Sequence, residues 1–272
     1  MEKTADFYRK LNLSVSGEVI RSLWKAYRES VTQFVMDMFI EGGTTIVIGA
    51  GNMNDLDFES VSSASESIVL ADIDVESTMK NSPAGANVRE IDFGCFNDVT
   101  RITETHDMLE FLRNAKPGVK SDLEGKKFNN ILISPFYTQL VLPWVFSAFA
   151  DKPLDSTIVD AALDLAARTI RSANEYIRNM TVDGSRIYLW TDMLEYVSND
   201  LAFTDISANI SDNEWMDSFF SRYLEEFGHG LGSYGHMEME ETLENPVHRW
   251  LIWPFDSNRR LIVKLTSGIL QE

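Results

Sequence analysis

The feature that most constrains this chain is the stretch from Thr44 to Asp74, TTIVIGAGNMNDLDFESVSSASESIVLADID. A short β-branched and apolar run, Thr44 to Ile48, ends at Gly49-Ala50-Gly51, and a second, Ser67 to Ala71, ends on Asp72 and Asp74. Runs of this kind, bounded by turn residues, read as buried strands. The length of the crossover between them predicts a βαβ unit and hence a parallel sheet. Ligands of such sheets sit beyond the carboxyl ends of the strands, where the strand order reverses. Two features fall there. Gly49 and Gly51 let backbone approach a ligand closely, with the amides of the following helix start facing its polar atoms. Asp72 is placed to accept hydrogen bonds from two ribose hydroxyls. The pattern points to a nucleoside-containing cofactor.

The segment before this unit, residues 1 to 43, reads as helical. Val19, Ile20, Leu23, Trp24, Tyr27, Val31, Phe34, Val35 and Met38 recur at spacings of three and four, with Ser16 as N-cap and Gly42-Gly43 as stop. Because it precedes the first strand, it is an appendage to the sheet, either a lid over the cofactor mouth, with Trp24 as a substrate contact, or packing.

After the unit, Val88 to Ile91 forms a third strand followed by Asp92-Phe93-Gly94, a carboxylate suited to accept from an exocyclic amine such as that of adenine. Residues 97 to 115 form an amphipathic helix closed by Lys116-Pro117-Gly118, and a charged surface loop runs to Lys127. The fourth strand, Phe128 to Ile133, leads into Ser134-Pro135-Phe136-Tyr137. From Phe136 to Ala150 nearly every residue is apolar, which predicts a buried helix kinked or broken near Pro143. Asp155 or Ser156 caps a longer helix to about Met180; Gly184 ends that region, and Arg186 to Trp190 is a fifth strand ending near Thr191-Asp192.

Ser211 and Glu214 form a capping box for a helix faced by Trp215, Phe219, Tyr223 and Phe227, which stops at Gly228. Residues 228 to 246, glycine-rich and then acidic without a period, predict a mobile loop. Arg249 to Trp253 and Arg260 to Leu265, joined by a turn around Asp256-Ser257-Asn258, must pair antiparallel. The expected fold class is α/β: a Rossmann-like seven-stranded mostly parallel sheet with a terminal antiparallel pair, helices on both faces and an N-terminal helical extension. Its domains are a cap over residues 1–43 and a sheet domain over 44–272 with a helical insertion at about 136–181.

This order of elements resembles the class I S-adenosylmethionine-dependent methyltransferases. Gly49-Ala50-Gly51 looks like the family's glycine motif, Asp72 in LADID is similar to its ribose-holding acid, and Asp92-Phe93 resembles its adenine-contacting pair. Ser134-Pro135-Phe136-Tyr137 sits where some amino-methylating members carry an Asn- or Asp-Pro-Pro-Tyr motif. The resemblance implies S-adenosylmethionine as cofactor, held by Gly49, Ala50, Gly51, Asn54, Asp55, Asp72, Ile73, Asp92, Phe93 and Ser134, with Tyr137 facing the acceptor. The family's acid two positions before the first glycine is replaced by Val47, and its third glycine by Met53. Polar residues Asn52, Asn54, Asp55 and Asp57 follow the turn instead. No dedicated catalytic residue stands out, and methyl transfer does not require one, since alignment of nucleophile and sulfonium supplies much of the effect.

Charge narrows the partners. With 42 acidic against 24 basic residues, the net charge is −18, and no basic stripe suits a phosphate backbone or an anionic membrane. A small-molecule acceptor, neutral or cationic, is the expectation. The single cysteine, Cys95, cannot form an internal disulfide, and the polar start MEKTADFYRKLN lacks the apolar core of a signal peptide, so the expected setting is cytoplasmic. His229, His236, Glu238 and Glu240 have donor chemistry for a metal but no i, i+4 spacing, and they read as solvated loop residues rather than ligands. His106 and His248 have no evident partner. Two other functions compete: a nicotinamide-dependent oxidoreductase, whose fingerprint needs glycine where Asn54 stands, and a non-catalytic cofactor-binding protein of the same fold.

Overall fold

A computed structural model describes residues 8–10, 18–82, 86–94, 96, 102, 104–148, 155–197 and 201–271. The strands in chain order are β1 (Thr44–Ile48), β2 (Ser67–Asp72), β3 (Asn87–Asp92), β4 (Lys120–Ser121), β5 (Phe128–Ile133), β6 (Thr181–Val197), β7 (Leu243–Trp253) and β8 (Arg259–Leu270). They form an eight-stranded sheet in the order β4-β3-β2-β1-β5-β6-β8-β7. Strands β3, β2, β1, β5 and β6 pair in parallel, and β8 lies antiparallel between β6 and β7. The strand beyond the seven expected is β4. Its two residues pair antiparallel with Ile91 and Asp92, tied by a 2.7 Å ion pair from Lys120 to Glu90. A two-residue strand has no periodicity to read.

Alternate residues of the central strands enter opposite cores, as a sheet covered on both faces requires. Ile46, Ile48, Ile131 and Ile133 face one core, and Val47, Leu70 and Leu132 face the other. The first core is closed by α7 (Ser156–Arg178) and α10 (Leu231–Glu240), with α5 (Thr105–Asn114) and α6 (Leu142–Ala148) extending it. The second is closed by α1 (Glu18–Leu23), α2 (Lys25–Met36) and α3 (Phe58–Ala64). The N-terminal region is thus two helices rather than one. Trp24 stands between them at φ −86° and ψ 3°, and its indole Nε1 donates to the Phe255 carbonyl at 3.0 Å. Tyr27, Val31, Phe34 and Val35 share a core with the sheet, so α2 is built into the domain. Ser16 lies outside the described residues.

Other helix starts follow their capping side chains. Asp74 caps α4 (Val75–Asn81) and Asp155 caps α7. The cap of α9 (Asn213–Phe227) is Asp212, accepting from the Trp215 amide at 3.1 Å, and not Ser211. α8 (Leu201–Asn209) precedes it. Pro143 sits in the first turn of α6, where its missing N–H costs nothing, so the apolar run is a 3-10 turn (Tyr137–Gln139) followed by a helix. Of the helix predicted over 97–115, the structure describes α5; residues 97–101 and 103, like Cys95, lie outside the described residues. Gly184 does not end α7. It lies within β6 at φ 76°, in an irregularity after which Arg186 resumes the pairing with β5.

The largest departure is at residues 228–246. Leu231–Glu240 is a helix whose inner face is Gly232, Ser233, Gly235, His236 and Met239. These recur at helical spacing, but small and polar residues carry no hydrophobic period, and packing overrides the low helix propensity of glycine. A Cβ at Gly235 would lie 2.7 Å from the Tyr137 ring, and one at Gly232 2.6 Å from the Asp192 carbonyl oxygen. The glycines bring α10 against the sheet end. His236, fully buried, hydrogen-bonds Thr191 and Thr266 at 3.1 and 2.8 Å. Glu238 pairs with Arg178, and Glu240 with Lys264. None of the three is a solvated loop residue. His248 also has a neighbour, Asp217, at 3.0 Å. Among the described residues no group of His, Cys, Asp and Glu could hold a metal ion, and no helix is long and apolar enough to cross a membrane.

Candidate functional site

The strand order reverses beside β1, whose neighbours are β2 and β5. Against the carboxyl ends of these strands lies a cavity of about 370 Å³, within the size range of small-molecule sites. Gly49, Ala50, Gly51, Asn54, Asp55, Asp72, Ile73, Asp92, Phe93, Ser134 and Trp24 all line it. Tyr137 does not. It is fully buried beneath, donating its hydroxyl to Asn174 Oδ1 at 2.7 Å, and Asn174 in turn donates to the Gly235 carbonyl at 3.1 Å. Its role is to seat α10, which corrects its placement as a substrate contact.

The glycine turn works differently from the expectation. Gly49 (φ 71°) and Gly51 (φ 48°) occupy the left-handed region, as does Met53 (φ 55°). The position where the resembling family carries its third glycine therefore keeps a glycine conformation with a side chain in it, at about 1–2 kcal/mol of strain. The Gly49 and Ala50 amides donate to the Ala71 carbonyl, and the Gly51 amide donates to Asp72 Oδ2 at 2.8 Å. These donors are used within the protein, and α3 begins only at Phe58, capped by Asp57. What the turn offers a ligand is close backbone, without helix-start amides.

Asp72 is not the cap of α4; Asp74 is. Asp72 accepts from Gly51 and, through Oδ1, from the Asp74 amide at 2.8 Å. Burial raises its pKa, and these two amides oppose that shift. The Ile73 amide also bears on the carboxylate, and with about four lone-pair sites Asp72 keeps capacity for a hydroxyl donor beside these amides. Asp92 Oδ1 accepts from the Gly94 amide at 2.9 Å, and Phe93 stacks on Phe136 with centroids 5.2 Å apart. Ser134 Oγ donates to the Gly49 carbonyl, which ties the β5 end to the glycine turn.

The sheet is Rossmann-like, with five strands in parallel followed by an antiparallel pair, as expected from the order of elements in the sequence. No protein-family model matches the sequence, and no curated protein does. Solved structures do resemble it. A SAM-dependent methyltransferase from Thermotoga maritima aligns at TM-score 0.44 and 12% identity, covering 98% of this chain and 97% of that one. One from Methanosarcina mazei aligns at 0.41 and 11%, covering 88% and 98%. A protein described as a methyltransferase, in a Haloferax volcanii complex with the Trm112 methyltransferase activator, aligns at 0.47 and 10%, covering 98% and 97%. At such identities and TM-scores none of these likenesses decides an activity.

Sequence reasoning missed part of the lining. Tyr8 lines the cavity, with its hydroxyl donating to the Gln139 and Leu140 carbonyls, and burial raises its pKa, with Asp92 and Asp72 adding to the shift. Trp253, at the end of β7, and Phe255 just beyond it line it in contact with Trp24. The available signal was the run Trp253-Pro254-Phe255, aromatic residues at a strand end just before a turn.

A second carboxylate pair stands beside the cavity: Asp55 lines it, and Asp192 lines a smaller cavity that shares four residues with it. Burial pushes Asp55 up to about 7, with the Asp192 charge adding and Arg28 opposing; burial also pushes Asp192 up to about 6. Groups whose folded pKa is raised hold protons that the unfolded chain releases. Their cost to stability is absent below about pH 4 and grows as pH rises toward 7. His236, whose pKa burial lowers well below 6.5, acts oppositely, weakening the fold as pH falls below that value. Substitution separates the two. The melting temperature of Asp55→Asn minus that of the parent should rise between pH 5 and pH 8, by on the order of 5 °C. A difference that stays flat across this range would mean that Asp55 is not held in a charge-hostile setting.

Proposed function

We propose that this chain is an S-adenosylmethionine-dependent methyltransferase acting on a small molecule. The observation that carries the reading is the convergence of the glycine turn, Asp72 and Asp92-Phe93 on one cavity at the reversal of strand order. In this reading Asp72 takes the ribose hydroxyls, Asp92 the adenine amine, and Ile73 and Phe93 the adenine faces. The close backbone of Gly49 to Gly51 lies along the methionine portion, with Asn54 and Ser134 at its sides. When bound, S-adenosylmethionine supplies a methyl group on a positively charged sulfur, which a nucleophile accepts in line. The protein's part is to align the acceptor and exclude water, work for which Tyr8, Trp24 and Trp253 in the cavity lining are suited. The net charge of −18 favours neutral or cationic acceptors over nucleic acid, and a single cysteine fits a reducing, cytoplasmic setting.

Trp24 and Trp253 line the cavity and provide a fluorescence signal. Titration with S-adenosylhomocysteine should give a saturable change, and titration with NADH should not compete with it. Saturable NADH binding with no response to S-adenosylhomocysteine would favour the oxidoreductase. Binding of S-adenosylhomocysteine without methyl transfer to any small molecule would leave the non-catalytic binder.

A further inference from the structure

A smaller cavity of about 190 Å³ adjoins the first, and Pro135, Gln139, Trp253 and Phe255 line both. Asp55 lines the larger and Asp192 the smaller. The two aspartates come from opposite sides, one from the loop after β1 and one from β6, at the register shift between Asp192 and Leu194. Such irregularities redirect a side chain out of the regular pleat. Asp55 Oδ1 and Asp192 Oδ1 are buried and accept no hydrogen bond, although the Asp192 carboxylate is also held by the Thr138 side chain and by its own backbone amide. Nearby stand two more unsatisfied groups. The Tyr27 hydroxyl, on a side chain 3% exposed, feels the charges of both aspartates, and Trp253 Nε1 belongs to a residue 6% exposed.

Aromatic rings wall this region. Tyr27 stacks on Trp253 at 5.1 Å, Trp24 meets Trp253 edge-on at 4.7 Å, and Phe255 lies 5.3 Å from Trp253. Of the surrounding charges, Glu195 adds to the negative potential at Asp192. Arg259, which lines the smaller cavity, is engaged by Asp256 at 2.6 Å and faces Glu195 at 3.8 Å. Arg28 bears on Asp55 and donates to the Asn54 carbonyl at 3.3 Å.

We infer that Asp55 and Asp192, with the aromatic wall of Trp24, Tyr27, Trp253 and Phe255, form a binding site for a protonated amine, the acceptor class of the methyl transfer proposed above. The inference rests on that reading for the amine's role, though not for its binding. Buried carboxylate oxygens without partners are costly, and an ammonium N–H satisfies them with charge-assisted bonds. The wall already accepts a cation at one point, where the Arg259 guanidinium lies over the Phe255 ring at 4.6 Å. An anion meets repulsion from both aspartates, and a neutral alcohol cannot compensate two carboxylates. Carboxylates titrating near neutrality are also suited to receive the proton that frees an amine lone pair.

Calorimetry on the full chain tests this with 2-phenylethylamine, its neutral isostere 2-phenylethanol and the anion phenylacetate, each with and without saturating S-adenosylhomocysteine. The amine should bind at least about tenfold more tightly than the alcohol, and phenylacetate should give no heat of binding. Asp192→Asn should lose roughly that factor for the amine while leaving the alcohol, and S-adenosylhomocysteine within about twofold, unchanged. Asp55→Asn should lose the same factor for the amine relative to the alcohol and stands in for that comparison if Asp192→Asn does not fold. Equal binding of amine and alcohol by the parent overturns the inference. So does a parallel loss of S-adenosylhomocysteine and amine in both variants, which would assign the aspartates to the cofactor. If S-adenosylhomocysteine gives no heat, the cofactor reading falls alone, and preference for the amine over the alcohol still decides this site.

Discussion

Replacing Asp72 with alanine should weaken S-adenosylhomocysteine binding by roughly thirtyfold to a thousandfold, on the order of 2 to 4 kcal/mol. The proposed contacts are two charge-assisted hydrogen bonds from ribose hydroxyls, made where the residue is 8% exposed and solvent substitutes poorly. The structure adds a second route to the same loss. Asp72 also holds the part-buried Gly51 amide and the buried Asp74 amide, so its removal leaves both without this acceptor and loosens the glycine turn. Melting temperature should therefore fall as well, and affinities are to be compared well below the variant's transition. Asp92→Ala should lose about 1 to 2 kcal/mol at most, since it is proposed to take a single amine donor. An Asp72→Ala protein that is folded and binds as tightly as the parent would place the ribose elsewhere.

The second large effect is on stability. Alanine for glycine inside a helix ordinarily stabilises by roughly 0.5–1 kcal/mol. Gly235→Ala should instead destabilise by about 2–3 kcal/mol, lowering the melting temperature by roughly 5–10 °C. The new methyl would meet Tyr137 ring carbons at 2.7 Å, and that ring cannot retreat, because it is fully buried and its hydroxyl is bound to Asn174. Gly232→Ala should cost at least as much, because its obstacle is the backbone oxygen of Asp192. Thermal unfolding monitored by circular dichroism measures both. If either variant melts at or above the parent temperature, α10 does not pack on the sheet end as described.

These two cases also show what the sequence could and could not convey. The parallel core and the ends of β1 and β2 were legible because buried strands need β-branched runs, and the turn chemistry stands directly after them. The helix α10 was not, because its inner face is glycine, serine and histidine, chosen for close approach rather than for apolar area. Tyr137 sits in a motif position that suggests a substrate contact, yet its neighbour Gly235 lies 98 residues later and only the fold brings them together. Trp24 likewise reads as one more residue of a helical stripe, and its contact with the Phe255 carbonyl, 231 residues away, leaves no mark in that stripe. The pairing of Asp55 with Asp192 is of the same kind. Each alone is an ordinary acidic residue, and the shared burial that raises both comes from strand order and an irregularity in β6. Long-range placement of this sort leaves no local period.

The measurement that bears most directly on the central claim is a crystal structure of the full chain grown with S-adenosylhomocysteine. The account predicts the ribose hydroxyls within hydrogen-bond distance of Asp72, the adenine between Ile73 and Phe93 with its amine at Asp92, and the methionine portion along Gly49 to Gly51. Ligand bound at another place, or in this cavity with its ribose away from Asp72, would contradict it.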